Sequence, residues 1–162
     1  MRVAILTIST AGARGKRKNT SGDAIAAWAR ARQYKVAARE LVSDDGNAIV
    51  AALLAWCDGD LADLVLTTGG TGLSPTDVTP EATRVVIERD APGIAEWLRA
   101  SAVTRLPKAA LSQGRCGVRH RTLIVNLPGS LGGVADSLAA LDPIVDHAVA
   151  VVRGEVGDHG TK

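Results

Sequence analysis

The residues best suited to chemistry lie in the stretch Thr67-Thr68-Gly69-Gly70-Thr71-Gly72, which runs on through Ser74 to a single carboxylate at Asp77. Glycines let the backbone take positive φ and let an anion approach the main chain, and Thr68, Thr71 and Ser74 add hydroxyl donors. That inventory suits phosphate. Two further stretches add to it: Ser43-Asp44-Asp45 brings adjacent carboxylates, and Asn126-Leu127-Pro128-Gly129-Ser130 repeats the pattern of polar side chain, glycine and hydroxyl. Carboxylates repel phosphate unless a divalent cation sits between them, so Asp44 and Asp77 beside such loops imply magnesium and phosphoryl or nucleotidyl transfer. Either aspartate of the 44–45 pair, or Ser43, would also serve as a helix cap. The common nucleotide motifs are absent: no lysine follows the glycines as a P-loop requires, and Ser74-Pro75-Thr76-Asp77 separates them from the next helix, unlike a Rossmann fingerprint. No His/Cys cluster has zinc-ligand spacing.

Each candidate loop follows an apolar run and precedes a helical pattern, as expected where strand ends carry the site. Residues 2–9 are apolar on both alternating faces, the signature of a strand inside a parallel sheet. Residues 10–19 read as a loop carrying Arg14, Lys16, Arg17 and Lys18, a cluster that fits a solvated turn or an anion site equally well. A helix follows from Thr20, then strands at 34–42 and 61–67, a helix over 81–89, a second from Ile94 after Pro92-Gly93, and β-like segments at 114–120 and 121–126. The last helical pattern, 131–152, is interrupted near Pro143. The expected fold is a three-layer α/β/α domain with a mainly parallel sheet over residues 1–153, followed by a flexible tail at 154–162.

With 162 residues the chain fits one domain, and its net charge of +2 creates no field that demands nucleic acid. With no Phe, one Tyr and three Trp it also lacks a stacking platform for single strands. No apolar run approaches the roughly 20 residues of a bilayer span, and the N-terminus lacks a signal-peptide pattern, so no membrane partner and a cytoplasmic location are expected. Cys57 and Cys116 read as buried free thiols.

Thr67-Thr-Gly-Gly-Thr-Gly72 followed by Asp77-Val-Thr-Pro-Glu-Ala-Thr83 resembles the signature of the molybdenum-cofactor biosynthesis family that includes the molybdopterin adenylyltransferases (MogA/MoaB-like). The likeness continues in Ser43-Asp44-Asp45, Pro92-Gly93, Leu111-Ser112, Gly117-Val118-Arg119 and Asn126-Leu-Pro-Gly-Ser130, in family order over nearly the whole chain. The resemblance implies a homotrimer that transfers AMP from magnesium ATP to the molybdopterin phosphate, releases pyrophosphate and hands its product to a molybdenum insertase. It implies functional and metal-binding carboxylates at Asp44 and Asp77 and a nucleotide and phosphate loop at Gly69 to Gly72. It also implies a ligand-binding lip at Asn126 to Ser130, including Pro128 and Gly129, with Ser9, Ser112 and Arg119 at less diagnostic positions. The chain departs from the pattern after the first strand: many members carry Ser-Asp-Arg where this one has Ser9-Thr10-Ala11. That departure motivates an alternative, a non-catalytic pterin-binding or assembly protein of the same pathway.

Overall fold

The N-terminal apolar run forms β1 (Arg2–Ile8) in the computed structural model, which describes residues 1–156. β1 pairs in parallel with β2 (Lys35–Val42) on one side and β3 (Leu64–Thr68) on the other; β3 then pairs in parallel with β6 (Thr122–Leu127). Two antiparallel strands complete the sheet, β5 (Cys116–Arg119) and β4 (Arg89–Asp90), in the order β2-β1-β3-β6-β5-β4. β1, β3 and β6 are buried throughout or nearly so, whereas the edge strand β2 exposes Lys35, Arg39 and Glu40, charges that discourage pairing with another chain.

Alternation along the central strands divides the core in two. Val3, Ile5, Leu64, Leu66, Leu123 and Val125 face α2 (Thr20–Ala31), α5 (Pro92–Val103), α6 (Leu131–Leu141) and α7 (Val145–Arg153). Ala4, Leu6, Val65 and Ile124 face α3 (Gly46–Asp58) and α4 (Thr79–Val86). The expected three layers are therefore present. Each fully buried leucine or isoleucine contributes about 1.5 to 3 kcal/mol relative to exposure, so the sheet's position between the helices is strongly determined. No helix among the described residues is long and apolar enough to cross a membrane.

Three local expectations change. The segment expected as loop 10–19 opens with a one-turn helix, α1 (Thr10–Ala13), because the Ser9 hydroxyl accepts the Gly12 N–H at 3.1 Å and caps it. The helix expected over 81–89 stops at Val86; Ile87 is extended, and the chain then joins β5 as β4, with Glu88 N–H donating to Val118 O and Ala91 N–H to Cys116 O. Gly117 permits that approach, since a Cβ there would lie 2.8 Å from the Arg89 carbonyl oxygen. Third, Gly154 and Glu155 still hydrogen-bond back to α7, through Val151 O and Ala150 O. The remainder of the expected tail, from residue 157, lies outside the described residues.

The start of β1, the turn before β3 and the end of α7 are tied together at Asp63. Its carboxylate accepts from the Arg2 backbone N–H at 2.6 Å and from the Arg2 guanidinium, and Arg153 of α7 lies 3.1 Å away. Burial pushes the Asp63 pKa up, but the Arg2 hydrogen bonds and the two guanidinium charges outweigh it and hold the group below the usual 3.8. Its stabilisation is thus complete above the ordinary aspartate pKa and is lost as pH falls through the lower native value. Asp63→Asn is expected to cost about 1 to 2 kcal/mol at pH 7 and progressively less below pH ~4, as measured by urea unfolding at both pH values.

Candidate functional site

The order β2-β1-β3 places α2 and α3 on opposite faces, so a crevice opens at the carboxyl ends of β1 and β3, where ligands of open α/β sheets gather. The glycine loop forms its floor. Gly69 has φ +101° and Gly70 φ +63°, and a Cβ on Gly69 would lie 2.2 Å from the Ile8 carbonyl oxygen. Only glycine fits that crossing of β1 and β3. The buried Thr79 hydroxyl donates to Gly69 O at 2.9 Å and the Thr79 N–H to Gly70 O at 3.1 Å, so the first turn of α4 fixes the loop. The N–H groups of Gly70, Thr71 and Gly72 make no hydrogen bond among the described residues.

A second loop, after β6, leans on the first. Thr68 donates its hydroxyl to Pro128 O at 2.7 Å, Ser21 of α2 donates to Gly129 O at 2.8 Å, and a Cβ on Gly129 would lie 3.1 Å from Gly69 Cα. Ser130 caps α6 by accepting the Gly133 N–H at 3.1 Å.

The adjacent aspartates divide their roles. Asp45 caps α3, accepting the Ala48 N–H at 2.8 Å. Asp44 turns instead to the loop after β1: its Oδ2 accepts both the N–H and the hydroxyl of Thr10, at 2.8 and 2.7 Å, while the Asp44 N–H donates to Thr10 Oγ1 at 3.1 Å. Its Oδ1 faces Gly70, lying 3.3 Å from where a Cβ would stand. Asp77 approaches the same loop further along; its Oδ2 accepts the Ser74 N–H at 3.2 Å and lies 2.6 Å from the Cβ position of Gly72. Each carboxylate therefore uses one oxygen for positioning, and the other makes no hydrogen bond among the described residues.

Two cavities meet these loops. A polar crevice of about 390 Å³ is lined by Ser9, Asp44, Thr68, Gly69, Gly70, Gly129 and Ser130, together with Arg17 and Lys18. A more apolar pocket of about 250 Å³, under α5 and the 3-10 turn Pro107–Leu111, is lined by Thr71, Gly72, Ser112, Asn126, Pro128 and again Ser130. Asp77 lines neither cavity and abuts Gly72 at the apolar one; Ser74, exposed, is its hydrogen-bond donor.

Asn126 reaches the site only by its edge. Its amide donates to Thr67 Oγ1 of β3 at 2.9 Å and Thr83 Oγ1 of α4 at 3.0 Å, and its Oδ1 accepts the Arg115 N–H ahead of β5 at 3.0 Å. Asn126→Ala would strand two fully buried hydroxyls and is expected to cost about 2 to 3 kcal/mol, read as a lower urea midpoint; a change under about 0.5 kcal/mol would contradict this clasp. Arg119 is outside both cavities, bound to Asp58 and to Val86 O, with its pKa raised by the Asp58 carboxylate. Cys57 and Cys116 are buried free thiols, pushed up by burial to about 11 and about 12.

Sequence reasoning missed Thr10 as the holder of Asp44, because only the fold brings the two within reach. It also left Arg17 and Lys18 undivided from Arg14 and Lys16; the first two line the crevice and the others do not. Arg99, which lines the apolar pocket while donating to Gly114 O at 2.9 Å, gave no signal beyond its place in a helical pattern.

The donor set fits magnesium. The carboxylates of Asp44 and Asp77 are hard oxygen ligands, and no group of three or more potential protein ligands clusters among the described residues. Mg²⁺ is usually held by one or two carboxylates with waters and substrate phosphates completing its shell, and these two side chains are of that kind.

Comparison with known proteins agrees with this architecture. The family described as "Probable molybdopterin binding domain" matches residues 4–147. The chain is 38% identical over 115 residues to the molybdopterin adenylyltransferase of Helicobacter pylori strain J99, covering 71% of this chain and 65% of the relative. It is 35% identical to molybdenum cofactor biosynthesis protein B of Escherichia coli K12, over 80% of this chain and 75% of the relative. Against the molybdenum cofactor biosynthesis bifunctional protein of Synechococcus elongatus it spans 48% of the relative's length. Several of the curated relatives it matches are thus covered over less than two thirds of their length. Among solved structures, the molybdopterin biosynthesis enzyme MoaB of Thermus thermophilus superposes with a TM-score of 0.89 at 48% identity, covering 94% of this chain and 96% of that one. The molybdopterin biosynthesis Mog protein of Mycobacterium ulcerans gives 0.88 at 40%, covering 93% and 98%. The likeness inferred from the glycine loop and its aspartates therefore holds over nearly the whole fold, and the chain belongs to the probable molybdopterin binding domain family of molybdenum-cofactor biosynthesis proteins.

Proposed function

We propose that the chain is a molybdopterin adenylyltransferase, joining AMP from ATP to the terminal phosphate of molybdopterin. The observation that carries this reading is the approach of two carboxylates to one glycine loop, each with one oxygen engaged in positioning and the other uncommitted. A phosphate monoester is already anionic at neutral pH, so attack on the α-phosphorus of ATP needs no general base. Nor does the site offer a histidine: none of the described residues that line either cavity is one. The work is positioning and charge neutralisation.

In this reading a pterin phosphate oxygen attacks the α-phosphorus, the bond to the bridging oxygen breaks, and pyrophosphate leaves. The uncommitted N–H groups of Gly70, Thr71 and Gly72 donate to phosphoryl oxygens, with Thr68, Ser74 and Ser9 as neighbouring hydroxyls. Gly129 and Ser130 form the opposite lip, Pro128 and Ser112 line the apolar pocket beside it, and Asn126 acts as a positioning residue. Asp44 and Asp77 would hold Mg²⁺, which supplies charge neutralisation of the phosphates when bound.

A second reading, a non-catalytic pterin-binding protein, has one observation in its favour: Thr10, at the position where the family resemblance leads one to expect aspartate, occupies one oxygen of Asp44. Incubating the purified chain with molybdopterin and Mg-ATP and weighing the products by mass spectrometry separates the two. Adenylylated pterin is expected; tight pterin binding without that product would establish the second reading instead. A homotrimer and transfer of product to a molybdenum insertase belong to the same proposal, and light scattering tests the first of these.

A further inference from the structure

The ends of β1 and β2 bring together two residues that are far apart in sequence. The parallel register pairs Ile8 with Val42, and the Ser9 N–H donates to Val42 O at 2.9 Å. Thr10 and Asp44, each just past that pairing, therefore meet beside the crevice. Their contact is reciprocal: Asp44 Oδ2 accepts the Thr10 N–H at 2.8 Å and the Thr10 hydroxyl at 2.7 Å, and Thr10 Oγ1 accepts the Asp44 N–H at 3.1 Å.

An ionised carboxylate offers roughly two lone-pair sites on each oxygen. On Asp44 both sites of Oδ2 are filled by Thr10, which fixes the rotation of the group and leaves Oδ1, beside Gly70, as its open oxygen. A carboxylate held in this way can ligate a cation through one oxygen only. That suits Mg²⁺, whose octahedral shell takes single oxygens, and disfavours Ca²⁺, whose larger and more flexible shell gains from carboxylates that give both. Asp77 is not restricted in the same way, since its Oδ2 accepts the single Ser74 N–H at 3.2 Å. The restriction at the site comes from Thr10.

We infer that Thr10 is a positioning residue that makes Asp44 a one-oxygen ligand and so sets the preference of the crevice for Mg²⁺ over Ca²⁺ as the ion accompanying a nucleotide. This rests on the metal-nucleotide reading of the site and goes beyond it, because the choice of ion is assigned to a side chain that ligates nothing itself. Thr10 then readies Asp44 for the chemistry instead of withdrawing it.

The test is calorimetric titration of α,β-methylene-ATP, which cannot be cleaved at the α-phosphorus, into the full chain with saturating Mg²⁺ and, in parallel, with saturating Ca²⁺. The wild type is expected to bind it about tenfold or more tighter with Mg²⁺. Thr10→Val keeps the shape of the side chain and loses both hydroxyl contacts with Asp44, so the ratio of the two affinities should fall to about threefold or less. Thr10→Ser keeps the hydroxyl and should restore the wild-type ratio. Asp45→Asn removes the neighbouring charge at a cap that asparagine also serves, and should leave the ratio within about twofold of wild type. Equal affinity with the two ions in the wild type would overturn the assignment. So would an unchanged ratio in Thr10→Val, including a loss equal for both ions, or a ratio in Thr10→Ser as low as in Thr10→Val. The transferase reading fails separately: this pattern of ratios without adenylylated pterin would uphold the role of Thr10 and end that reading. Adenylylated pterin from a chain whose Thr10→Val variant keeps the wild-type ratio would do the reverse.

Discussion

Asp77→Asn is expected to lower the rate of pterin adenylylation about 10²- to 10³-fold while leaving the fold intact. Asparagine keeps an oxygen able to accept the Ser74 N–H and has the same size, which matters because the carboxylate lies 2.6 Å from the Cβ position of Gly72. What the substitution removes is the negative charge. The loss should appear in kcat at saturating ATP and in a higher requirement for Mg²⁺, with unfolding free energy changed by less than about 1 kcal/mol. Asp77→Glu offers no rescue, since its longer side chain would have to move the carboxylate away from the loop. A variant with wild-type kcat would remove Asp77 from the chemistry and leave it as a brace for Ser74.

Gly69→Ala is the largest expected effect on stability. The added methyl would meet the Ile8 carbonyl oxygen at 2.2 Å, on a backbone at φ +101° that L side chains rarely adopt. The obstacle is the end of a buried strand and cannot rotate aside. Relief requires β1 and β3 to separate where Thr7 and Thr68 pair, or the loop to abandon Thr79 and Leu127 O. Strain and lost packing together should cost about 3 to 5 kcal/mol in urea unfolding. Gly46→Ala is the control: no atom lies within 4 Å of a Cβ there, it begins α3 at ordinary φ, and its stability should stay within about 0.5 kcal/mol of wild type. Equal stability of the two variants would mean that the loop is not held as described.

These positions also mark how far the sequence could be read. β1, apolar on both faces, announced its burial, and the glycine loop announced a backbone open to anions; both follow from local chemistry alone. Asp44 and Asp45 were indistinguishable by type and position, and their division into site and cap depends on Thr10, 34 residues away, reaching one of them. Asn126 stands next to last in a strand whose centre is apolar on both faces, so no polar alternation told which way its amide turns; it turns to Thr67 and Thr83. β4 is legible only from its partner, because its two residues have no strand pattern of their own and owe their state to the backbone of β5 passing at Gly117. Likewise, four basic residues in one loop look alike until the fold sets Arg17 and Lys18, and not Arg14 and Lys16, at the crevice.

The central claim is that this site transfers AMP, and pterin-dependent release of pyrophosphate from ATP under single-turnover conditions tests it most directly. The wild-type chain should release one equivalent per bound pterin when Mg²⁺ is present, and none when the metal is chelated or the pterin omitted. Pyrophosphate release that ignores the pterin, or none at all from a chain that binds both pterin and Mg-ATP, would contradict the account.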